Sequence, residues 1–440
     1  MYERIKLIIG HVAPTSARVW VRGPSGQDAA TVFLYPEDSP EDRLRHTVPF
    51  DLAGAPAGVL DVEGLRPSTR YLVDAHFGPG DFERGWFRTF PLAPEPFRFL
   101  SLSCNKNKTG RRRNYQRICE RWLTRDLAFL MHCGDQVYYD HESDEERPPS
   151  RELYAERYDL TWGHDDGARR MLGHFPNYMI LDDHEIANDF NKDGITATEG
   201  AYEVGEYLEH GLPAYETFQH SHNPPTEAGQ FYYNFECAGA HFFVLDVRLD
   251  RIPAKSNAPQ GAMISAQQLE SLKAWLLQHR DDLKFVVSPL PFLGEVAITA
   301  RAPAEKKWNS PDYRGQRDEI IVFLHDHGID RLVFLTGDMH ASYHATLEFT
   351  PRSDDEPLTI HELMTGPIFH KLRPYADLGL RNFENTWSPG MGCRATANIE
   401  QIHARRSAVE VLVDPTSGDI GYHIVHLKSG KVLEMGSFTV

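Results

Sequence analysis

Repeatedly along this chain, a short apolar run ends in side chains that bind cations or carry protons. Phe97 to Ser103 runs into Cys104-Asn105. Leu127 to Met131 runs into His132-Cys133-Gly134-Asp135-Gln136-Val137-Tyr138. Asn177 to Leu181 is followed by Asp182-Asp183-His184-Glu185, and His241 to Leu245 by Asp246-Val247-Arg248. Leu332 to Leu335 is followed by Thr336-Gly337-Asp338-Met339-His340. Thiol, carboxylate, phenol and imidazole are metal-ligand types. A glycine before Asp135 and before Asp338 lets the backbone turn, so that each carboxylate projects past its strand. Asp338 and His340 are two apart, so an extended segment points both to one side. The two oxygens of Asp135 can bridge two cations. Ions roughly 3.5–4 Å apart hold a hydroxide between them and clamp phosphoryl oxygens.

Such a cluster needs a scaffold that gathers these ends. Strand C-termini in α/β sheets face the binding crevice. After Pro96 the apolar runs alternate with longer amphipathic stretches, the pattern of an α/β layer structure. One stretch, Ser265 to Gln278, sets Leu269, Leu272, Trp275 and Leu276 at helical spacing, with Ser265 and Gln268 as a capping box. The charged, aromatic stretch from about Ser143 to Arg170 reads as an excursion or lid. The tail is a meander of strands, Val409 to Val413, Gly421 to Leu427 and Val432 to Val440. Before Pro91, Pro94 and Pro96, short β-branched runs punctuated by Gly, Pro, Asp and Ser predict strands. Leu65, a turn and then Tyr71 entering a strand resemble the corner of fibronectin-like sandwiches. A length of 440 residues exceeds one compact core. Two domains are expected: an N-terminal β-sandwich over 1–93 and a catalytic domain over 94–440.

Gly-Asp, Asp-Asp-His-Glu and Gly-Asp-x-His in this order resemble the metallophosphoesterase superfamily. A lone cysteine in place of its usual first Asp-x-His, with tyrosine three after the Gly-Asp aspartate, resembles the PhoD-like alkaline phosphatases. Leu245 to Arg248, Gln268 to Trp275 and Val286 to Pro289 are also similar to that family's core. The resemblance covers nearly the whole chain. It implies a four-layer αββα sandwich with an N-terminal fibronectin- or Ig-like accessory domain. It implies hydrolysis of phosphate mono- or diesters by a metal-bound hydroxide. Cys104, Asp135, Tyr138, Asp338 and His340 would bind ferric iron, and Asp135 and Asp183 calcium, with zinc, manganese or magnesium as alternatives. Asp183 stands where the superfamily usually has asparagine. His184 would contact the phosphate or protonate the leaving oxygen, and with Asp135 it forms the catalytic pair. The segment Ile186 to Phe190 matches the family only loosely.

Other residues have plainer readings. Asp182 caps or orients, and Tyr139 is a packed aromatic. His132, His241 and His361 belong to the core or the framework. His344, near the last motif, is more often structural than a ligand. Arg248 either touches phosphate or pairs with Asp246. Arg111 to Arg113 is a solvated run, or steers an anionic substrate. Of the five cysteines, all but Cys104 are expected to be buried and apolar in role, and the odd number offers no disulfide framework.

A net charge of −17 disfavours bulk nucleic-acid binding and leaves a small phosphate ester as the expected partner. No apolar run approaches the ~20 residues that span a bilayer. The apolar stretch near Met1 is too short for a signal peptide, and no twin arginine precedes it. The expected location is cytoplasmic, or exported if a leader has been trimmed. The alternative functions are a catalytically inactive metalloprotein that binds phosphate ligands, and an interaction protein whose α/β half is scaffold.

Overall fold

The computed structural model describes residues 5–51, 55–107, 114–139, 147–191, 194–195, 202–254, 260–293, 307–351, 357–370, 383–389 and 393–440. Two large sheets stack face to face. In the seven-stranded sheet, Phe97–Asn105 lies between the parallel strand Leu130–Cys133 and the antiparallel strand Ser407–Asp414. Asn177–Ile180 extends one edge, and the tail strands Asp419–His426 and Val432–Thr439 extend the other, as the expected meander. The eight-stranded sheet has a parallel centre of Ala240–Val244, Leu283–Ser288, Leu332–Thr336 and Leu358–Met364.

Side-chain alternation along these strands accounts for the layering. Phe99, Phe129, Met131, Tyr178 and Ile180 face the other sheet, whereas Leu100, Leu102, Leu130, Met179 and Leu181 face outward onto helices. Between the sheets, Phe99 and Phe129 stack at 4.7 Å, as do Phe242 and Phe285. The first pair meets the second edge-on: Phe129 lies 5.3 Å from Phe242 and Phe99 5.8 Å from Phe285. Edge-to-face contact is the favoured geometry for such rings. Helices α1 (Asn114–Trp122), α2 (Arg151–Tyr158), α3 (Asp166–His174) and α4 (Val204–Phe218) cover the outer face of the first sheet. Helices α5 (Ala266–Gln278) and α6 (Arg314–Asp326) cover that of the second. The result is αββα.

Two expectations are corrected here. The described part of the 143–170 excursion is not a lid. Residues 151–174 fold as α2, a π-helical turn Asp159–Gly163 and α3, with Tyr154, Tyr158 and Trp162 buried in the outer layer. Arg151, Glu152, Asp166 and Arg170 are exposed to solvent, whereas Arg157, Asp159 and Asp165 are buried. The capping box at α5 is half present. Ser265 Oγ accepts from Gln268 N at 3.2 Å, but the Gln268 amide instead accepts from Asp246 N at 3.0 Å and donates to Asp246 O at 2.9 Å. It thereby ties α5 to the bend that carries Arg248.

The N-terminal strands form a three-stranded sheet (Leu7–Val12, Ser16–Arg22, Ala57–Glu63) and a four-stranded one (Leu44–Pro49, Ala29–Pro36, Arg70–Gly78, Asp81–Arg88). Tyr71 makes the corner, its hydroxyl accepting from Arg66 N at 2.8 Å. This sandwich is docked tightly on the rest. Arg22 pairs with Asp159 at 2.5 Å with both side chains largely buried, and a Cβ on Gly85 would stand 2.0 Å from the Gly173 carbonyl. Among the described residues no helix is long and apolar enough to cross a membrane.

Candidate metal centre

The strand ends converge through unusual backbone. Cys104, Asp135, Asp338 and His340 all have positive φ, at 52°, 59°, 71° and 56°. Non-glycine residues rarely adopt this region, and those that do cluster at functional sites. The glycines explain how the turns fit. Gly134 has φ 81°, and a Cβ there would meet Asp182 Cβ at 2.6 Å. At Gly337 a Cβ would lie 2.3 Å from Cys133 O. The segment from Asp338 to His340 is therefore a tight turn, with Met339 N donating to Gly337 O at 2.9 Å, and not the extended segment expected. Backbone bonds also lace neighbouring ends together, Asn105 N donating to Asp135 O at 2.7 Å.

Two groups of donors result, and they share Asp135. Ligand atoms of Cys104, Asp135 and His340 lie within 4.8 Å of one another, and so do those of Asp135, Asp183 and His184. Tyr138 folds back and donates its hydroxyl to Asp135 Oδ2 at 2.8 Å. The His184 ring lies against Tyr138 at 3.9 Å, and His184 N donates to Asp135 Oδ1 at 3.4 Å. Asp338 is placed differently: Lys307, itself buried, donates its ammonium to Asp338 Oδ2.

Behind these groups stands a fixed framework. Glu185, buried, accepts from the backbone N–H groups of Asp135 at 3.3 Å, Gln136 at 2.6 Å and Asp182 at 3.1 Å. One carboxylate thus pins the Gly-Asp turn to the Asp-Asp-His-Glu turn. Arg248 pairs with Asp182 at 2.5 Å and with Asp183 at 3.4 Å, and donates to Phe190 O at 3.1 Å. Its pairing with Asp246 is corrected: Asp246 Oδ1 accepts from the N–H groups of Arg248 and Leu249 and so caps its own turn. Burial and neighbouring charge raise the Asp246 carboxyl to about 6.

The electrostatics of the donor set fit bound cations. Burial pushes the Asp135 carboxyl well above the usual carboxylate range, against the pull of His184, and Asp183 and Glu185 push it further. Burial first, then Asp135, raises the Cys104 thiol and the Tyr138 phenol. Burial also raises Asp182, although Arg248 opposes it. Arg248 and Lys307 are buried among these acids. Buried acids in such density are costly to ionise unless positive charge is added, and metal ions add it.

Several side chains escaped the sequence reading. His370 stacks on His340 at 3.7 Å and lies 5.3 Å from Tyr138. The Lys106 ammonium lies 5.2 Å from the centre of the Tyr138 ring. Lys307, Lys106 and His370 sit in no recognisable spacing, so only the fold brings them in. The plainer readings stand as geometry. His132 bonds Gln136 and Asn177 at 2.9 Å each. His344 meets His361 at 3.0 Å, and both rings stack on Phe438. Tyr139 stacks on Tyr154 at 4.0 Å. Cys393 is half-buried, unlike the other cysteines. The Arg111 to Arg113 run lies outside the described residues. A cleft of about 440 Å³, lined by Arg88, Glu95, Arg98 and Asp414 among others, opens at the far end of these strands, and none of the donors of the two groups above lines it.

Residues 99–415 match the family described as PhoD-like phosphatase. Among solved structures, that of PhoD superposes with a TM-score of 0.74 at 18% identity, covering 100% of this chain and 89% of that one. At this identity the likeness concerns the fold. A sensor domain of the anti-sigma factor RsgI4 of Pseudobacteroides cellulosolvens matches 21% of this chain and 98% of its own, at 14% identity and a TM-score of 0.18, too little to bear on the site. No curated protein matches the chain.

Proposed function

The chain belongs to the PhoD-like phosphatase family, and from that premise we propose that it hydrolyses small phosphate esters at a two-metal centre. One observation carries the two-metal reading: Asp135 stands in both donor groups. Cys104, Asp135, Tyr138, Asp338 and His340 would hold ferric iron, and Asp135 and Asp183 calcium, with zinc, manganese or magnesium as alternatives. Bound ions would polarise a phosphoryl oxygen and acidify a water. The division into a sandwich over 1–93 and a catalytic domain over 94–440 belongs to the same proposal.

The chain's own residues set the rest. His184 is held by its backbone bond to Asp135 and by its contact with the Tyr138 ring. In this proposal its imidazole gives a proton to the leaving oxygen. Asp182 and Glu185 do not face the substrate in this scheme. Arg248 fixes Asp182 and Asp183, and Glu185 fixes the backbone amides. The strongly negative surface makes the local positive charge of the centre the feature that draws in an anionic ester.

His184→Ala should lower turnover of an ester with a poor leaving group on the order of a hundredfold. An ester with a good leaving group needs little protonation and should lose much less. Metal content should stay near that of the parent. Hydrolysis of both ester types, with metal analysis on the same samples, checks this; equal losses would assign His184 to phosphate binding instead.

Tyr138→Phe tests the first donor group. Phenolate and thiolate are electron-rich, and ferric iron accepts electrons, so direct coordination gives a charge-transfer band in the visible. Iron-loaded parent protein should be coloured. Tyr138→Phe keeps the ring and removes one oxygen, so it should stay folded and lose or shift the band at equal iron content. An unchanged spectrum would remove Tyr138 from the ligand set.

A further inference from the structure

At the other end of the eight-stranded sheet, His241, His279 and Asp282 bring ligand atoms within 4.8 Å of one another. His241 is the second residue of strand Ala240–Val244. The same strand reaches the catalytic side only past its opposite end, through Arg248. His279 is the C-cap residue of α5, its N–H donating to Trp275 O at 3.0 Å. Asp282 follows three residues on, where Asp282 N donates to His279 O at 3.1 Å. A helix end and a strand start therefore present their side chains to one place.

The geometry at that place is specific. Asp282 Oδ2 lies 3.1 Å from His279 Nδ1 and 3.5 Å from His241 Nε2. The two imidazoles stack at 3.8 Å with 25° between their planes. Neutral rings accept that arrangement, whereas two imidazolium cations resist it, and the neutral ring is the form that ligates. The turn that carries Asp282 is braced. Lys284, the register partner of His241, donates its ammonium to the carbonyls of Arg280 at 2.7 Å and Asp282 at 2.5 Å. That bonding occupies the nearest ammonium with the backbone. Glu236, opposite His241 across the antiparallel pair, adds negative charge nearby.

We propose that His241, His279 and Asp282 form a second, non-catalytic metal site for a zinc-class divalent cation, with solvent completing its shell. Imidazoles with a carboxylate suit zinc, copper or nickel, whereas calcium and magnesium take sets composed of oxygen. The ion ties the C-terminus of α5 and the turn after it to the start of the Ala240–Val244 strand. It acts as a clip on the fold and does not touch the ester. Its site shares no residue with the proposed catalytic centre, so the two readings stand or fall separately.

The test uses full-length protein stripped with chelator and then dialysed against zinc. The parent is compared with His279→Gln and with Asp282→Asn; the Asp282 side chain is 49% exposed, so Asp282→Asn leaves the packing of His279 on His241 and Trp275 intact. The parent should bind one equivalent more than either variant, and zinc should raise its unfolding midpoint more than theirs. Ester hydrolysis by the variants should match the parent after reloading, and calcium in place of zinc should not separate the three proteins. The catalytic donors are common to all three and cancel in the difference. Equal zinc stoichiometry in all three overturns the site, and a calcium difference of the same size overturns its zinc-class assignment.

Discussion

Asp135→Asn is expected to lower kcat for ester hydrolysis on the order of a thousandfold or more, and to deplete both cations at once. A thousandfold is about 4 kcal/mol of transition-state stabilisation, and loss of a single well-placed electrostatic group already reaches that range. The reason lies in the position of Asp135. Its carboxylate belongs to the group with Cys104 and His340 and to the group with Asp183 and His184. It also accepts from the Tyr138 hydroxyl and from His184 N. Asparagine keeps the size and one carbonyl oxygen but removes the charge and replaces the other acceptor with a donor. The backbone there should survive. The N–H groups of Asp135 and Gln136 are held by Glu185, and asparagine tolerates the positive φ of this position. The substitution therefore acts on charge with little effect on folding. Elemental analysis beside a steady-state assay is the check. A folded, inactive variant that retains full occupancy of both metals would show that Asp135 does not bridge them.

The layers and the gathering of strand ends were legible because both rest on local pattern. Alternating or continuous apolar runs predict strands, and a polar group after each run marks the end that faces a crevice. The pattern thus points to Cys104, Asp135, the run Asp182 to Glu185 and His340, and the resemblance to the PhoD-like family selects Asp183 and His184 within that run. The backbone at those ends was less legible. Asp338 and His340 have positive φ, and no rule of alternation predicts a left-handed turn at aspartate and histidine. The partner of Asp338, Lys307, lies 31 residues before it in the chain. His370 reaches His340 from beyond the short strand Pro367–Phe369, which pairs with the end of Phe97–Asn105. Such neighbours have no spacing to read. The stretch over residues 151–174 shows the opposite failure. Its charges were visible, but Tyr154, Tyr158 and Trp162, which bury it, are equally consistent with an exposed aromatic surface until the outer face of the sheet is in place.

Arg248→Met is expected to cost about 3–5 kcal/mol of folding stability, the usual range for removing one partner of a buried ion pair. In sequence Arg248 has Asp246 two residues away, which made that pairing attractive. In the fold its guanidinium instead bonds Asp182 through Nε at 2.6 Å and through an Nη at 2.5 Å, and a second Nη donates to Phe190 O. The side chains of Arg248 and Asp182 are both 0% exposed. Methionine fills much of the arginine's volume but satisfies neither Asp182 nor the Phe190 carbonyl. Asp182 then remains among Asp135, Asp183 and Asp338, whose charges already oppose its ionisation. Lysine should rescue little, because an ammonium cannot reproduce the planar fork that meets Asp182 and Phe190 together. Removing the stranded charge should help more. Arg248→Met combined with Asp182→Asn should recover part of the loss, leaving a coupling energy of about 0.5–3 kcal/mol in the double-mutant cycle. The variant also gains net negative charge at the centre, so added divalent cation should stabilise it more than it stabilises the parent. Denaturant unfolding of parent, single and double variants, with and without metal, measures each term. A loss below about 1 kcal/mol for Arg248→Met, the range of an exposed pair, would mean that Asp182 is neutral in the folded protein and that Arg248 is not its counter-ion.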